Sequence, residues 1–271
     1  SNLPTVWSNC LAAWVLAGGT FGWQFVPLLI GGSLIYSGGM ILNDAADYGW
    51  DKEHRPERPI PSGTISLTAA YGFAIVALVS GFGFFLWAGV WPVWGVLLVA
   101  AVVAYDLLHK RWQGSVYVMG ACRFLLYLCA ASTVGDPIDV RVLVWAVALG
   151  AYIVGVTLVA RGEADDAPMD KVGIALLAAP LAAGIATQLL RQGSDVMGIF
   201  CLLAWAGWTA WAVIIMRGDE EGRIGRGVSY LLAGILLIVA AAVAPAYGWL
   251  GLGMAVMLPS VLALQRKVSA T

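Results

Sequence analysis

The chain has 271 residues, 61% of them hydrophobic and only 11% charged, with a formal net charge of −1. Soluble domains run at about 45–50% apolar and 25% charged, so this composition cannot build a water-facing surface, and a sizeable soluble domain is excluded. The net charge itself says nothing about partners, because the charges sit almost entirely between apolar stretches; no nucleic-acid partner is expected.

No Asp, Glu, Lys or Arg occurs in residues 1–43, 59–105, 142–160, 172–190, 196–216 or 228–265. A membrane-spanning helix needs about 20 largely apolar residues, and these windows supply that length repeatedly. In chain order the spacing predicts segments at 4–22, 25–43, 66–88, 90–108, 114–134, 141–160, 172–190, 195–216, 227–244 and 248–265. Gly22, Trp91-Pro92, Lys110-Arg111, Gly135-Asp136-Pro137 and Pro245 mark breaks between them. The fold class expected is all-α: a polytopic membrane bundle of about 9–10 helices around a central cavity, with residues 1–271 forming one integral membrane domain.

Twelve of the fifteen Lys and Arg residues lie in the 2/3, 4/5, 6/7 and 8/9 connections and the C-terminal tail. The positive-inside rule therefore places those loops and both termini in the cytoplasm. No signal-peptide pattern opens the sequence, and the expected location is a bacterial inner membrane. Arg223 and Arg226 share a side with Arg266 and Lys267, so the apolar stretch between them must cross an even number of times. Two helices hinged near Pro245 satisfy that, and the count becomes ten.

The connection after the second segment carries the chemistry. It reads Asn43-Asp44-Ala-Ala-Asp47-Tyr-Gly-Trp-Asp51, then Arg55-Pro-Glu-Arg58-Pro59-Ile-Pro61-Ser62-Gly63. If the helix continues past the membrane, Asp44, Asp47 and Asp51 stand on one face. Three carboxylates on one face repel one another unless cations lie between them. Oxygen ligands without His or Cys suit Mg²⁺, which is usually held by a few carboxylates and substrate phosphates. A second acidic connection follows the sixth segment, where Glu163, Asp166 and Asp170 repeat the three-then-four spacing between Arg161 and Lys171.

The string N-D-x-x-D-x-x-x-D followed by R-P-x-x-R-P-I-P-S-G resembles the first aspartate-rich motif of the UbiA superfamily of membrane prenyltransferases. Tyr105-Asp-Leu-Leu-His109-Lys110 looks like that family's Tyr-to-Lys loop motif, and the acidic loop after segment 6 sits where its second aspartate-rich motif belongs. The second loop departs from the family in being poorer in Asp. Met119-Gly-Ala-Cys-Arg123 and the run from Tyr152 to Glu163 look more like the EboC-type branch. The resemblance implies a Mg²⁺-dependent enzyme that ionises a prenyl diphosphate and transfers the isoprenoid to an aromatic or other small acceptor within the bilayer. It implies Asp44, Asp47 and Lys110 in catalysis. Asp44, Asp47, Asp51, Glu163, Asp166 and Asp170 would hold metal. Asn43, Arg58, Tyr105, Arg123, Arg161 and Lys171 would bind substrate. A terpene cyclase on the same scaffold, or a non-catalytic isoprenoid carrier, are the alternatives.

The remaining residues are read more plainly. A mid-membrane arginine such as Arg123 normally faces a polar cavity; it contacts an anion or serves a structural pairing. Most of the thirteen Trp residues belong to interfacial belts, and Gly31-Gly32 and Gly38-Gly39 read as close helix contacts. The four cysteines show no ligand spacing and read as small buried side chains.

Overall fold

The computed structural model describes residues 2–20, 22–135, 138–161, 170–190, 195–218, 220 and 222–267. Those residues form helices and connections, with no strand among them. In chain order the helices are α1 (Leu3–Leu16), α2 (Phe25–Ala46), α3 (Tyr48–His54), α4 (Leu67–Ala88), α5 (Pro92–Leu108), α6 (Ser115–Ser132) and α7 (Val140–Arg161). They continue as α8 (Lys171–Leu176), α9 (Ala179–Leu189), α10 (Val196–Arg217), α11 (Arg223–Ala233), α12 (Ile235–Val243), α13 (Gly248–Val256) and α14 (Leu258–Lys267).

Among the described residues, seven helical stretches are long and apolar enough to cross a membrane: α2, α4, α6, α7, α8 with α9, α10, and α11 with α12. The chain is a multi-pass integral membrane protein. Three further apolar helices are shorter: α1, α5 and the stretch Gly248–Ala263. The ten expected segments are therefore all present as apolar helix. The 14 residues of α1 extend only about 21 Å at 1.5 Å per residue. Gly18, at φ 83°, ends that helix in a left-handed turn several residues before the expected boundary. The segments expected at 172–190 and 227–244 each break into two helices, the first just before Pro180 and the second at Gly234.

Local signals set the other ends. Ser66 caps α4 by accepting from the Ala69 N–H at 3.2 Å, and Gly89, at φ 89°, closes it. Pro92 opens α5, where the missing N–H leaves no bond unmade. Asp170 and Asp195 cap α8 and α10 by accepting from the amides of Gly173 (2.8 Å) and Gly198 (3.1 Å).

Packing is closest where glycines face one another. A methyl group on Gly120 of α6 would lie 2.6 Å from the carbonyl oxygen of Gly150 on α7. One on Gly31 of α2 would lie 2.9 Å from that of Gly81 on α4. Without a water-driven force between helices, such backbone approach is what holds a membrane bundle together. Trp145, Leu149, Tyr152, Ile153 and Val156 of α7 are buried at the centre, and α12 is buried along its whole length. Large apolar residues on α4 and α10, such as Phe73, Val79, Phe200 and Ile214, face outward where lipid would lie. The bundle leaves a cavity open beside α2, α5, α6 and α7.

Candidate active site

The cavity has a volume of about 560 Å³. Its mouth is polar: Asp44, Asp47, Asp51, Arg55, Arg58 and Lys110 all line it. Its inner wall is apolar, with Val6, Ile35, Leu98, Val102, Leu126 and Val156 among the lining residues.

The helical hydrogen-bond path barely breaks at the end of α2, because Asp47 N–H donates to the Asn43 carbonyl and Asp51 N–H to that of Asp47, both at 2.9 Å. Asp44, Asp47 and Asp51 therefore keep the face that their spacing predicts. Each is matched to a cation. Arg58 Nη1 lies 2.9 Å from Asp51 Oδ2 and 3.4 Å from Asp44 Oδ1. Lys110 Nζ lies 2.8 Å from Asp47 Oδ1, and His109 Nε2 lies 3.3 Å from the same oxygen. Asp51 is almost fully buried, Asp47 largely so, and Asp44 is the exposed member.

The loop that aims Arg58 is built for it. Ile60 packs into a small cluster with Ala45 of α2 and Ala70 of α4, pinning the loop against both helices. Pro59 and Pro61 restrict the backbone on either side of it. Ser62 N–H donates to the Arg58 carbonyl at 2.9 Å, Ile65 N–H donates to that of Pro59 at 3.0 Å, and Gly63 turns at φ 80°. On the other side of the mouth, Lys110 Nζ sits 4.5 Å from the Trp50 ring centre and Arg55 5.5 Å from it, with His54 stacked on the same indole at 4.3 Å. Such cation–π contacts hold a flexible ammonium in one place.

Three more residues, Asn43, Tyr105 and Asp106, line the cavity. Tyr105 stacks on His109 with ring centres 5.4 Å apart. Asn43 Nδ2 donates to Asp106 Oδ1 at 3.3 Å, while Asp106 Oδ2 is buried with no partner among the described residues. Arg123 also lines the cavity.

The other expected site residues are placed elsewhere. Arg161 donates from Nη1 to the Gln113 carbonyl at 2.6 Å and from Nη2 to Ser115 Oγ at 3.0 Å, joining the end of α7 to the α5–α6 connection. Asp170 is exposed and caps α8, Lys171 is exposed beside it, and neither lines the cavity. Glu163 and Asp166 lie outside the described residues.

The donor chemistry of the mouth fits a hard divalent cation. Its anionic ligands are carboxylate oxygens, and Mg²⁺ is usually bound by one or two carboxylates with phosphate oxygens completing the shell. Asp44 and Asp47 supply such a pair. Among the described residues no three His, Cys, Asp or Glu side chains form a cage able to hold a metal alone. Asp51 is instead committed to Arg58.

The profile of the UbiA prenyltransferase family matches residues 2–226, which include the whole mouth. The chain belongs to that family. It is 39% identical over 88 residues to a digeranylgeranylglyceryl phosphate synthase of Sulfolobus acidocaldarius, covering 31% of this chain and 32% of that protein. It is 30% identical over 141 residues to a 4-hydroxybenzoate octaprenyltransferase of Paracidovorax citrulli, covering 50% of this chain and 48% of that protein. These alignments thus span a third to a half of the relatives' lengths. The fold agrees over a longer span. The apo structure of a UbiA homolog from Aeropyrum pernix K1 superposes with a TM-score of 0.68 at 16% identity, covering 90% of this chain and 97% of that one.

Within this UbiA family member, sequence reasoning missed Asp106 as a cavity-lining residue and His109 as a partner of Asp47. Asp106 ends the apolar run of α5, one residue past a charge-free window, and that position was its only signal. His109 stood in the Tyr105-to-Lys110 string with no partner that spacing could name, and it faces Asp47.

Proposed function

We propose that the protein is an intramembrane prenyltransferase that takes a prenyl diphosphate donor and alkylates a small acceptor. The observation that carries this reading is the junction of the charged mouth with an apolar cavity of about 560 Å³ in a member of this family. Relatives named 4-hydroxybenzoate octaprenyltransferase and digeranylgeranylglyceryl phosphate synthase support the same class of reaction. The excess of Lys and Arg on the connections that carry the mouth supports a cytoplasmic mouth.

In this mechanism the isoprenoid chain lies along the apolar wall and its diphosphate stays at the mouth. Asp44 and Asp47, with Asn43 beside them, would hold Mg²⁺; when bound, that ion supplies positive charge to the departing diphosphate. Arg58 and Lys110 exchange their carboxylate partners for phosphate oxygens, which places two further charges where negative charge builds up. Trp50 keeps Lys110 at the rim during that exchange. The apolar wall excludes water, so the allylic carbon meets the acceptor before it meets solvent. Tyr105, which lines the cavity and stacks on His109, orients the substrate. Glu163 and Asp166 of the second acidic loop would add carboxylate ligands for the same metal, while Asp170 caps α8 and Arg161 ties the end of α7 to Gln113 and Ser115.

Native mass spectrometry of detergent-solubilised protein with prenyl diphosphates of several lengths tests the donor site. Wild type is expected to bind in the presence of Mg²⁺ and lose binding without it, and the Asp44→Ala/Asp47→Ala variant is expected not to bind. Well-folded wild type that binds no diphosphate of any length would end this reading.

A further inference from the structure

The cavity contains one more cation, Arg123, whose situation is the reverse of those at the mouth. Arg123 is the ninth residue of α6, about 12 Å along the axis from its start. It lines the cavity, yet among the described residues no hydrogen bond or ion pair reaches it, and its Nη1 is buried without an acceptor. The titratable groups that interact with it are Tyr36, Cys122, Cys10 and Tyr127, and none is a carboxylate.

A guanidinium stays protonated in any protein environment, so it cannot escape by neutralising itself. An unpaired charge inside an apolar surround destabilises the fold, and intramembrane arginines ordinarily face a partner or a polar cavity. Here the cavity is the side left open. The donor's diphosphate does not fill it, because its ligands are at the mouth. Tyr36, which lines the same cavity as Arg123, lies seven residues before Asn43 on α2, about 10 Å along the helix axis. That interval accommodates one small ring between the guanidinium and the reacting end of the donor.

We propose that Arg123 seats an anionic group of the acceptor, a carboxylate or a phosphate monoester, inside the membrane-embedded cavity. The planar fork of its N–H groups matches either oxyanion with two parallel hydrogen bonds. Seating the anion inward turns the acceptor's opposite end toward the mouth, where the allylic carbon is released. Arg123 thereby selects anionic over neutral acceptors. The inference rests on the prenyl-transfer reading and names its acceptor class.

The test is a binding titration by native mass spectrometry on the full chain in detergent. The probes are 4-hydroxybenzoate against its neutral methyl ester, and phenyl phosphate against phenol, each with and without geranyl thiodiphosphate and Mg²⁺. Wild type is expected to prefer at least one anion over its neutral partner by about tenfold or more; which pair shows the preference identifies carboxylate or phosphate as the source. Arg123→Leu is expected to lose the preference and keep donor binding, and Arg123→Lys to retain part of the preference. Ligand-free Arg123→Leu is also expected to melt at a higher temperature, since it removes a charge with no partner. The proposal is overturned if wild type shows no anion preference while binding the donor, or if Arg123→Leu keeps the preference. It is equally overturned if that variant melts lower and loses donor and acceptor binding together, the signature of a structural arginine. Wild type that fails to bind the donor at all would instead remove the prenyl-transfer reading beneath it.

Discussion

The mouth of the cavity and its interior treat charge in opposite ways. At the mouth every described carboxylate of the acidic face has a cation within 3.4 Å: Asp44 and Asp51 share Arg58, and Asp47 takes Lys110. In the interior, among the described residues, Arg123 has no counter-ion and Asp106 keeps one buried oxygen without a partner. A paired site must exchange partners when ligand arrives, so its ion pairs set how readily a diphosphate displaces them. An unpaired group has nothing to release, and the ligand's charge is its first partner.

The sharpest way to break the comparison is at the metal-facing pair. Asp44→Ala/Asp47→Ala, or removal of divalent cations by chelator, is expected to lower diphosphate release by about a hundredfold or more, measured as turnover with a saturating donor. Next in size is the buried pair. Asp51→Asn leaves Arg58 a neutral amide oxygen in place of its buried carboxylate and is expected to destabilise the protein by about 2–3 kcal/mol, read by thermal unfolding in detergent. A double-mutant cycle with Arg58→Met should show coupling between the two positions; additive effects would mean the pair is not formed in solution. Gly120→Ala tests the frame that holds Arg123. A methyl group 2.6 Å from the Gly150 carbonyl oxygen must push α6 from α7, with an expected loss of about 1–3 kcal/mol. Trp50→Leu removes the ring under Lys110. It is expected to raise the donor KM by about three- to fivefold, with kcat changed less, while Trp50→Phe restores most of the loss.

The smallest effect lies outside the cavity. Asp139, at the start of α7, has its acidity raised by the hydrogen bond from the Arg141 guanidinium, with Nη2 2.7 Å from Oδ2. A carboxyl held below its unfolded value stabilises above that unfolded value and loses the contribution as pH falls through the folded one. For so exposed a pair the stabilisation is about 0.5 kcal/mol or less. Asp139→Asn should therefore barely move the melting temperature at neutral pH, and the two proteins should converge in acid.

Much of the mouth was legible before any coordinates. The spacing of Asp44, Asp47 and Asp51 foretells a shared face because a helix imposes that geometry on consecutive residues, and all three do line the cavity. The same spacing could not say which carboxylate would be free. Asp51 looked equivalent to Asp44, yet Ile60 docks the following loop so that Arg58 covers Asp51 and leaves Asp44 exposed. The family resemblance implied that Arg161 binds substrate; the turn of α7 directs it to Gln113 and Ser115.

The amino-acid sequence alone determined the membrane class, the ten apolar segments and the acidic loop, because those depend on composition and on periodicity along one helix. Only the tertiary structure decided the partners. Whether Arg123 meets a carboxylate or an empty wall depends on how α2 and α6 rotate about their axes. That rotation is set by glycine contacts such as Gly120 with Gly150, far apart in the chain. Local spacing carries no information about it, since a helix fixes the angles between its own side chains and not the face it turns to its neighbour.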